Sequence, residues 1–323
     1  MTTVPAAVVD AVDGSVAALE SDRDVRVVLA AARGSHGWAA AGPESDYDVG
    51  LVFVQSDLRR YAHVTEPPTT IVASERLEDG DCAGIDLEFQ GWDVRTFASL
   101  LVDSNDGAID LLRSPIRYRS AYDPADLAAY VERTYDPMDL YHAWRGIATS
   151  NYRKYVSHHL VRTDDETFPI VETTDDGYVV ETDDGTATVS AENDRYTETQ
   201  TRATVKRNLT ICRASMYARY LRATGERCDH DLPALEFDRF LTEQAPTAFE
   251  DDRIDRARAL LERKRRGEGG VTVGDVVGRS FAHPPREIDP AVHARDGPDA
   301  DRIDRFVDEM IAATRAGDSD AVL

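Results

Sequence analysis

An acidic pair that opens an apolar strand constrains this chain more than any other feature. The run 45–54 reads Ser-Asp-Tyr-Asp-Val-Gly-Leu-Val-Phe-Val, with Asp46 and Asp48 two residues apart at the head of a near-continuous hydrophobic segment. Strand side chains alternate faces with period two, so both carboxylates point to one side. A segment that apolar belongs in a buried strand, and hence in a layered fold with helices packed on a sheet. Two neighbouring carboxylates repel each other unless positive charge sits between them. Mg²⁺ takes one or two carboxylates together with substrate phosphate oxygens. Gly34-Ser35 lies eleven positions before Asp46 and offers backbone N–H groups and a hydroxyl suited to phosphate. The pattern reads as nucleotide plus metal.

Asp-x-Asp alone is cheap in an acidic chain. Asp22 and Asp24, and Asp229 and Asp231, have the same spacing without the Gly-Ser turn, the spacer and the following strand. Asp22 and Asp24 read as a turn between a helix and the strand at 25–31.

The segment GSHGWAAAGPESDYDVGLVFV resembles the nucleotide-binding signature of the DNA polymerase beta superfamily of nucleotidyltransferases. Within that superfamily the chain is most similar to the RNA-repair-pathway DNA polymerase beta family. Further blocks carry the narrower resemblance: IDLEFQGWDVRTFASLL at 85–101, SNDGAIDLLRSPIRY at 104–118, NYRKYV at 151–156, VKRNLTICRASMYARYL at 205–221 and LLERKRRGE at 260–268. The likeness runs, with gaps, from residue 26 to residue 270. Three positions depart from the usual pattern: His36 replaces an Arg, Ala39 a Gly, and Thr96 a Lys.

Net charge bounds the partners. The chain of 323 residues carries −23, with 60 acidic residues against 37 basic ones, and only Lys154, Lys206 and Lys264 are lysines. Acidic surfaces poor in lysine stay solvated and soluble in a salt-rich interior, which points to a halophilic cytoplasmic protein. Such a balance argues against a broadly basic nucleic-acid face but leaves room for a local cluster of cations. Cys82, Cys212 and Cys228 are odd in number and lack CxxC spacing, so neither a disulfide framework nor structural zinc is expected. No run reaches the ~20 apolar residues of a membrane span, and the N-terminus has no signal-peptide pattern.

Periodicity predicts a helix over 4–20, strands at 25–31, 49–54, 69–73 and 85–89, a short helix at 38–41, and a helix at 94–103 capped by Asp93. The fold class is therefore α/β (α+β): a small mixed nucleotidyltransferase sheet with flanking helices over 1–122, then a mainly helical second domain over 123–323. Within the latter, 163–198 alternates β-prone runs with Asp-Asp-Gly turns and reads as an inserted acidic hairpin. A C-terminal amphipathic helix closes the chain.

Asp86 and Glu88 share the polar face of their strand. The resemblance, aligned on Gly91-Trp92-Asp93, assigns the third carboxylate to Glu88, with Asp86 as runner-up. It further implies that Gly34 and Ser35 hold the β- and γ-phosphates of a nucleoside triphosphate, that Asp46 and Asp48 bind two Mg²⁺ (or Mn²⁺) ions, and that Glu88 binds the ion facing the acceptor. Lys206 and Arg213, seven apart on one helix face, and Arg95, in the first turn after the corner, are candidate phosphate contacts. The implied activity is transfer of a nucleoside monophosphate to an acceptor hydroxyl, with RNA suggested by the family's name. A protein or small-molecule acceptor, or an inactive nucleotide- or RNA-binding module, are the competing readings. Oligomeric state is not legible.

Overall fold

A computed structural model describes residues 4–78, 82–164, 166–182, 185–199 and 202–319. The first half is a five-stranded sheet: β1 (Val25–Ala32), β2 (Tyr47–Gln55), β3 (Thr70–Arg76), β4 (Asp86–Asp93) and β5 (Arg117–Ser120), in the order β3-β4-β2-β1-β5. Only β2 and β4 run parallel; the other pairings are antiparallel, which makes the sheet mixed. β2 is central and buried on both faces, with Val49, Leu51 and Phe53 on one side and Val52 and Val54 on the other. Each such side chain stabilises the fold by about 1.5–3 kcal/mol.

Helix α1 (Ala6–Arg23) covers one face through Val8, Val12 and Val16, spaced by four and wholly buried. Asp24 ends it in the left-handed region and Val25 begins β1, so the Asp22–Asp24 pair is indeed a helix-to-strand turn. The other face is covered by α2 (Val94–Val102) and α3 (Asp106–Arg113). Asp93 caps α2, its Oδ1 accepting from Arg95 N at 3.0 Å, and Asn105 caps α3, its Oδ1 accepting from Ala108 N at 3.1 Å.

The second half contains α4 (Ala125–Thr134), α5 (Pro137–Tyr155), α6 (Val205–Gly225), α7 (Asp251–Arg265) and α8 (Ala300–Ser319). Helices α5 and α6 pack along each other, and α8 returns to lie on α2 and β1. One continuous apolar cluster joins Val28, Val52 and Phe97 to Trp144, Tyr217 and Phe306, so the sheet and the helical half share a core. Aromatic side chains supply much of it: Tyr135, Tyr141, Trp144 and Tyr152 are buried there.

Two local expectations change. The helical turn after β1 falls on Gly34–Gly37 rather than 38–41, because Ala39 adopts φ +59° and ends it. The acidic insertion is more than a hairpin: β6 (His159–Arg162), β7 (Thr167–Thr174), β8 (Gly177–Thr182), β9 (Gly185–Ser190) and β10 (Tyr196–Thr199) form a second five-stranded sheet, ordered β10-β6-β7-β8-β9. Within the insertion, Asp165, Asp183 and Asp184 lie outside the described residues. The small apolar patch of Leu160, Phe168, Val180 and Val189 holds it together. Among the described residues no helix is long and apolar enough to cross a membrane.

Candidate active site

The site forms where β1 and β2 end side by side. Arg33 N donates to the Asp48 carbonyl at 2.8 Å, which ties the Gly34-Ser35 turn to the head of β2. Gly34 has φ +52°, and a Cβ there would stand 1.9 Å from Asp48 Oδ2. Both the left-handed backbone and the close carboxylate disfavour any side chain there. The turn and the acid are therefore built as one unit.

Parallel pairing sets Asp48 beside Glu88, its direct partner on β4. Asp46, Asp48 and Glu88, together with Gly34 and Ser35, line a cavity of about 470 Å³. Asp48, Glu88 and Gly34 also line a second depression of about 680 Å³, bounded by Arg33, Ser74 and Gln90. The two carboxylates thus stand on a shared wall with a recess on either side. Burial raises the Asp48 carboxyl pKa, and the neighbouring Glu88 and Asp46 charges push the same way against Lys206 and Arg33. A half-buried acid crowded by like charge is one that a cation relieves. In the positions described, however, no group of three His, Cys, Asp or Glu is arranged to hold a metal ion among the described residues.

The competing acid on β4 has another partner. Asp86 faces Arg76 directly across the antiparallel β3–β4 register and pairs with it at 2.9 Å, half-exposed. Asp86 lines neither recess, whereas Glu88 lines both. Arg95 also stands apart: its guanidinium lies 5.6 Å from the Tyr61 ring centroid, and it lines neither recess. The reason is local. Tyr61 donates to Asp93 Oδ2 at 2.5 Å, placing its ring beside the first turn of α2.

The far wall of the first cavity comes from the helical half. Lys206, Leu209, Thr210 and Arg213 of α6 face it. Arg213 is fixed by an ion pair to Asp110 at 2.9 Å and lies over the Trp38 ring at 5.0 Å. Lys264, at the end of α7, reaches in from 219 residues away and donates through Nζ to Ser45 Oγ at 2.6 Å. Lys264 is only 8% exposed; burial, then the Lys206 charge, lowers its pKa, while Asp46 and Asp48 raise it. Sequence reasoning did not single out Lys264. The signal was present, because it is one of only three lysines in the chain and falls in the block at 260–268.

Two of the three positions that depart from the usual pattern have a local setting. His36 is buried and stacks on Tyr47, ring centroids 4.1 Å apart. Burial, with Lys264 nearby, lowers its pKa. Ala39 holds the left-handed backbone that a glycine adopts without strain, and its carbonyl accepts from Arg265 Nε at 2.9 Å. Asn105 and Ser114 serve the fold: the first caps α3, and the second donates to the Ile116 carbonyl at 3.2 Å.

The sequence model of the RNA repair pathway DNA polymerase beta family matches residues 8–309. Among solved structures, a nucleotidyltransferase-like protein from Exiguobacterium sibiricum is similar over 80% of this chain and 75% of its own length, at 10% identity and a TM-score of 0.29. No curated protein matches the chain.

Proposed function

The chain belongs to the RNA repair pathway DNA polymerase beta family, and we propose that it transfers a nucleoside monophosphate from a nucleoside triphosphate to an acceptor hydroxyl, with an RNA end as the acceptor. The observation that carries this reading is the cavity in which Asp46, Asp48 and Glu88 meet Gly34-Ser35 on one side and Lys206, Lys264 and Arg213 on the other. Acids and cations on opposite walls suit a substrate that is itself anionic and needs charge balanced during reaction.

In this reading the Gly34-Ser35 turn and the two lysines hold the phosphate tail. Asp46, Asp48 and Glu88 are oxygen donors of the kind Mg²⁺ or Mn²⁺ prefers and would hold the divalent ions, which neutralise charge on the attacking and leaving oxygens. The acceptor approaches through the second recess, on the Ser74 and Gln90 side. Its oxygen attacks the α-phosphorus, the bond to the β-phosphate oxygen breaks, and pyrophosphate departs toward the lysines. Glu88 accepts the hydroxyl proton directly or through water.

An inactive nucleotide-binding module is the second reading. It is favoured by His36, a buried imidazole where the resemblance implies an Arg. One experiment separates the two. Purified protein in high salt is incubated with Mg²⁺ or Mn²⁺, labelled triphosphates and pooled RNA and protein acceptors. Transfer that vanishes in Asp46→Ala and Asp48→Ala supports the enzyme. Nucleotide binding without transfer, unchanged in both variants, supports the module, and the labelled species identifies the acceptor.

A further inference from the structure

We propose that a third recess, beside the first cavity, binds the phosphodiester backbone of a single-stranded nucleic acid, a site that stands beside the transferase reading above and does not depend on it. The recess has a volume of about 570 Å³ and joins the first cavity at Lys206, Gly269 and Gly270. Lys154, Arg202, Lys206 and Arg207 line it, with Tyr155, and no carboxylate does. The Arg207 guanidinium lies 3.6 Å from the Tyr155 ring centroid and the Lys154 ammonium 5.1 Å from it. Among the described residues none of the four cations is paired with an acid.

That arrangement is unfavourable for the fold alone. The chain has 60 acidic residues to distribute, and several of its exposed arginines elsewhere pair with them, as Arg162 does with Asp164 and Arg239 with Glu243. Here Lys154, Arg202 and Arg207 form no ion pair among the described residues, while Lys206 also acts on Asp48 of the first cavity. Lys206 and Arg207 also occupy the first turn of α6, which contains no acid. Positive charge at a helix N-terminus opposes the helix dipole, at about 0.3–1 kcal/mol for each charge. Finally, all three lysines of the chain, Lys154, Lys206 and Lys264, face these two joined cavities. A compact ammonium on a flexible stem serves as a point charge for phosphate.

The ligand chemistry follows from the extent of the cluster. A single triphosphate tail is met within the first cavity by Gly34, Ser35, Lys206 and Lys264. Lys154, Arg202 and Arg207 lie beyond Lys206 and suit a polyanion with repeating charge. The Tyr155–Arg207 stack adds a flat π surface against which a base of an unpaired strand stacks. With a net charge of −23 repelling polyanions at long range, this local cluster carries the contact.

The test uses a fluorescein-labelled 12-nucleotide poly-U RNA and fluorescence anisotropy, without metal or triphosphate, across a salt series. In Lys154→Ser/Arg207→Ser the slope of log affinity against log salt is expected to flatten by about 1.4, from about 0.7 for each single-strand phosphate contact. Affinity at 0.1 M salt is expected to fall about twentyfold on the same basis. Binding of a fluorescent triphosphate should stay within twofold of wild type. Unchanged RNA binding with an unchanged slope would overturn the proposal. So would a loss confined to the triphosphate, which makes the recess part of the nucleotide site, or equal wild-type affinity for polyglutamate of matched charge, which makes it a docking site for acidic protein. Thermal unfolding of the double variant checks the fold, and Arg202→Ser, on an exposed residue outside the helices, gives a second, milder variant. If wild type transfers no label yet RNA binding depends on the cluster, the transferase reading fails and the binding site stands.

Discussion

Gly34→Ala tests whether the Gly34-Ser35 turn and Asp48 form one unit. The new Cβ would stand 1.9 Å from Asp48 Oδ2 and 2.8 Å from its Cγ, at φ +52°. A left-handed residue with a Cβ costs about 1–2 kcal/mol, and alanine recovers about 0.4–1 kcal/mol by restricting the unfolded chain. Relieving the contact adds about 1–3 kcal/mol, the usual range for overpacking, because the Asp48 carboxylate must leave its place. The net expectation is about 2–3 kcal/mol. For 323 residues at about 2.1 cal/mol/K each, one kcal/mol moves Tm by about 1.5 °C, so Tm should drop about 3–5 °C. The protein stays folded, yet transfer should fall at least about a hundredfold, the effect of an ångström-scale misplacement. Calorimetry and label transfer, run beside Asp48→Asn, give both numbers. In Gly34→Ala/Asp48→Ser the shorter side chain should restore part of the lost stability and none of the activity. Gly34→Ala with wild-type Tm and wild-type transfer would refute the reasoning.

Four further outcomes follow from the same geometry. Ala39→Gly removes left-handed strain at φ +59° and should raise Tm by about 1 °C, the net of about 1–2 kcal/mol of strain and the entropy glycine restores to the unfolded chain, with transfer unchanged. The Asp48 carboxyl pKa is raised in the fold, chiefly by burial, so ionised Asp48 destabilises the metal-free protein; Asp48→Asn should match wild type below the unfolded-state pKa, gain on it as pH rises through that value, and hold the advantage above the raised folded pKa, as followed by urea unfolding. Lys264→Met keeps the buried stem and removes the charge, so KM for the triphosphate should rise about tenfold or more with Tm little changed, since the lost Ser45 bond is worth about 0.5–1.5 kcal/mol. Glu88→Gln should abolish transfer, whereas Asp86→Asn, which breaks a half-exposed pair with Arg76, should cost about 0–1 kcal/mol in stability and leave the rate intact; the opposite ranking in label transfer would exchange the two acids.

The sequence by itself determined the parts that depend on neighbours along the chain. Asp46, just before β2, and Asp48, inside it, both line the first cavity, and near-continuous apolar character made β2 central. Asp93 was legible as the cap of α2 and Gly34-Ser35 as a turn, because capping and turn chemistry act within three or four residues. Tertiary structure decided what depends on distant partners. Glu88 rather than Asp86 reaches the cavity because antiparallel register seats Arg76 opposite Asp86. Lys264 enters the site because the end of α7 packs against the 39–45 loop, where its backbone comes so close that a Cβ on Gly42 would stand 2.4 Å from the Lys264 carbonyl. Arg95 leaves the site because Tyr61 and Asp93 hold a ring beside it. The strands of the insertion were visible as β-prone runs, but their closure into a five-stranded sheet needed pairings such as β10 with β6, made across three intervening strands. Local periodicity records which way a side chain faces; what it meets there is settled by chain segments that converge only when the core closes.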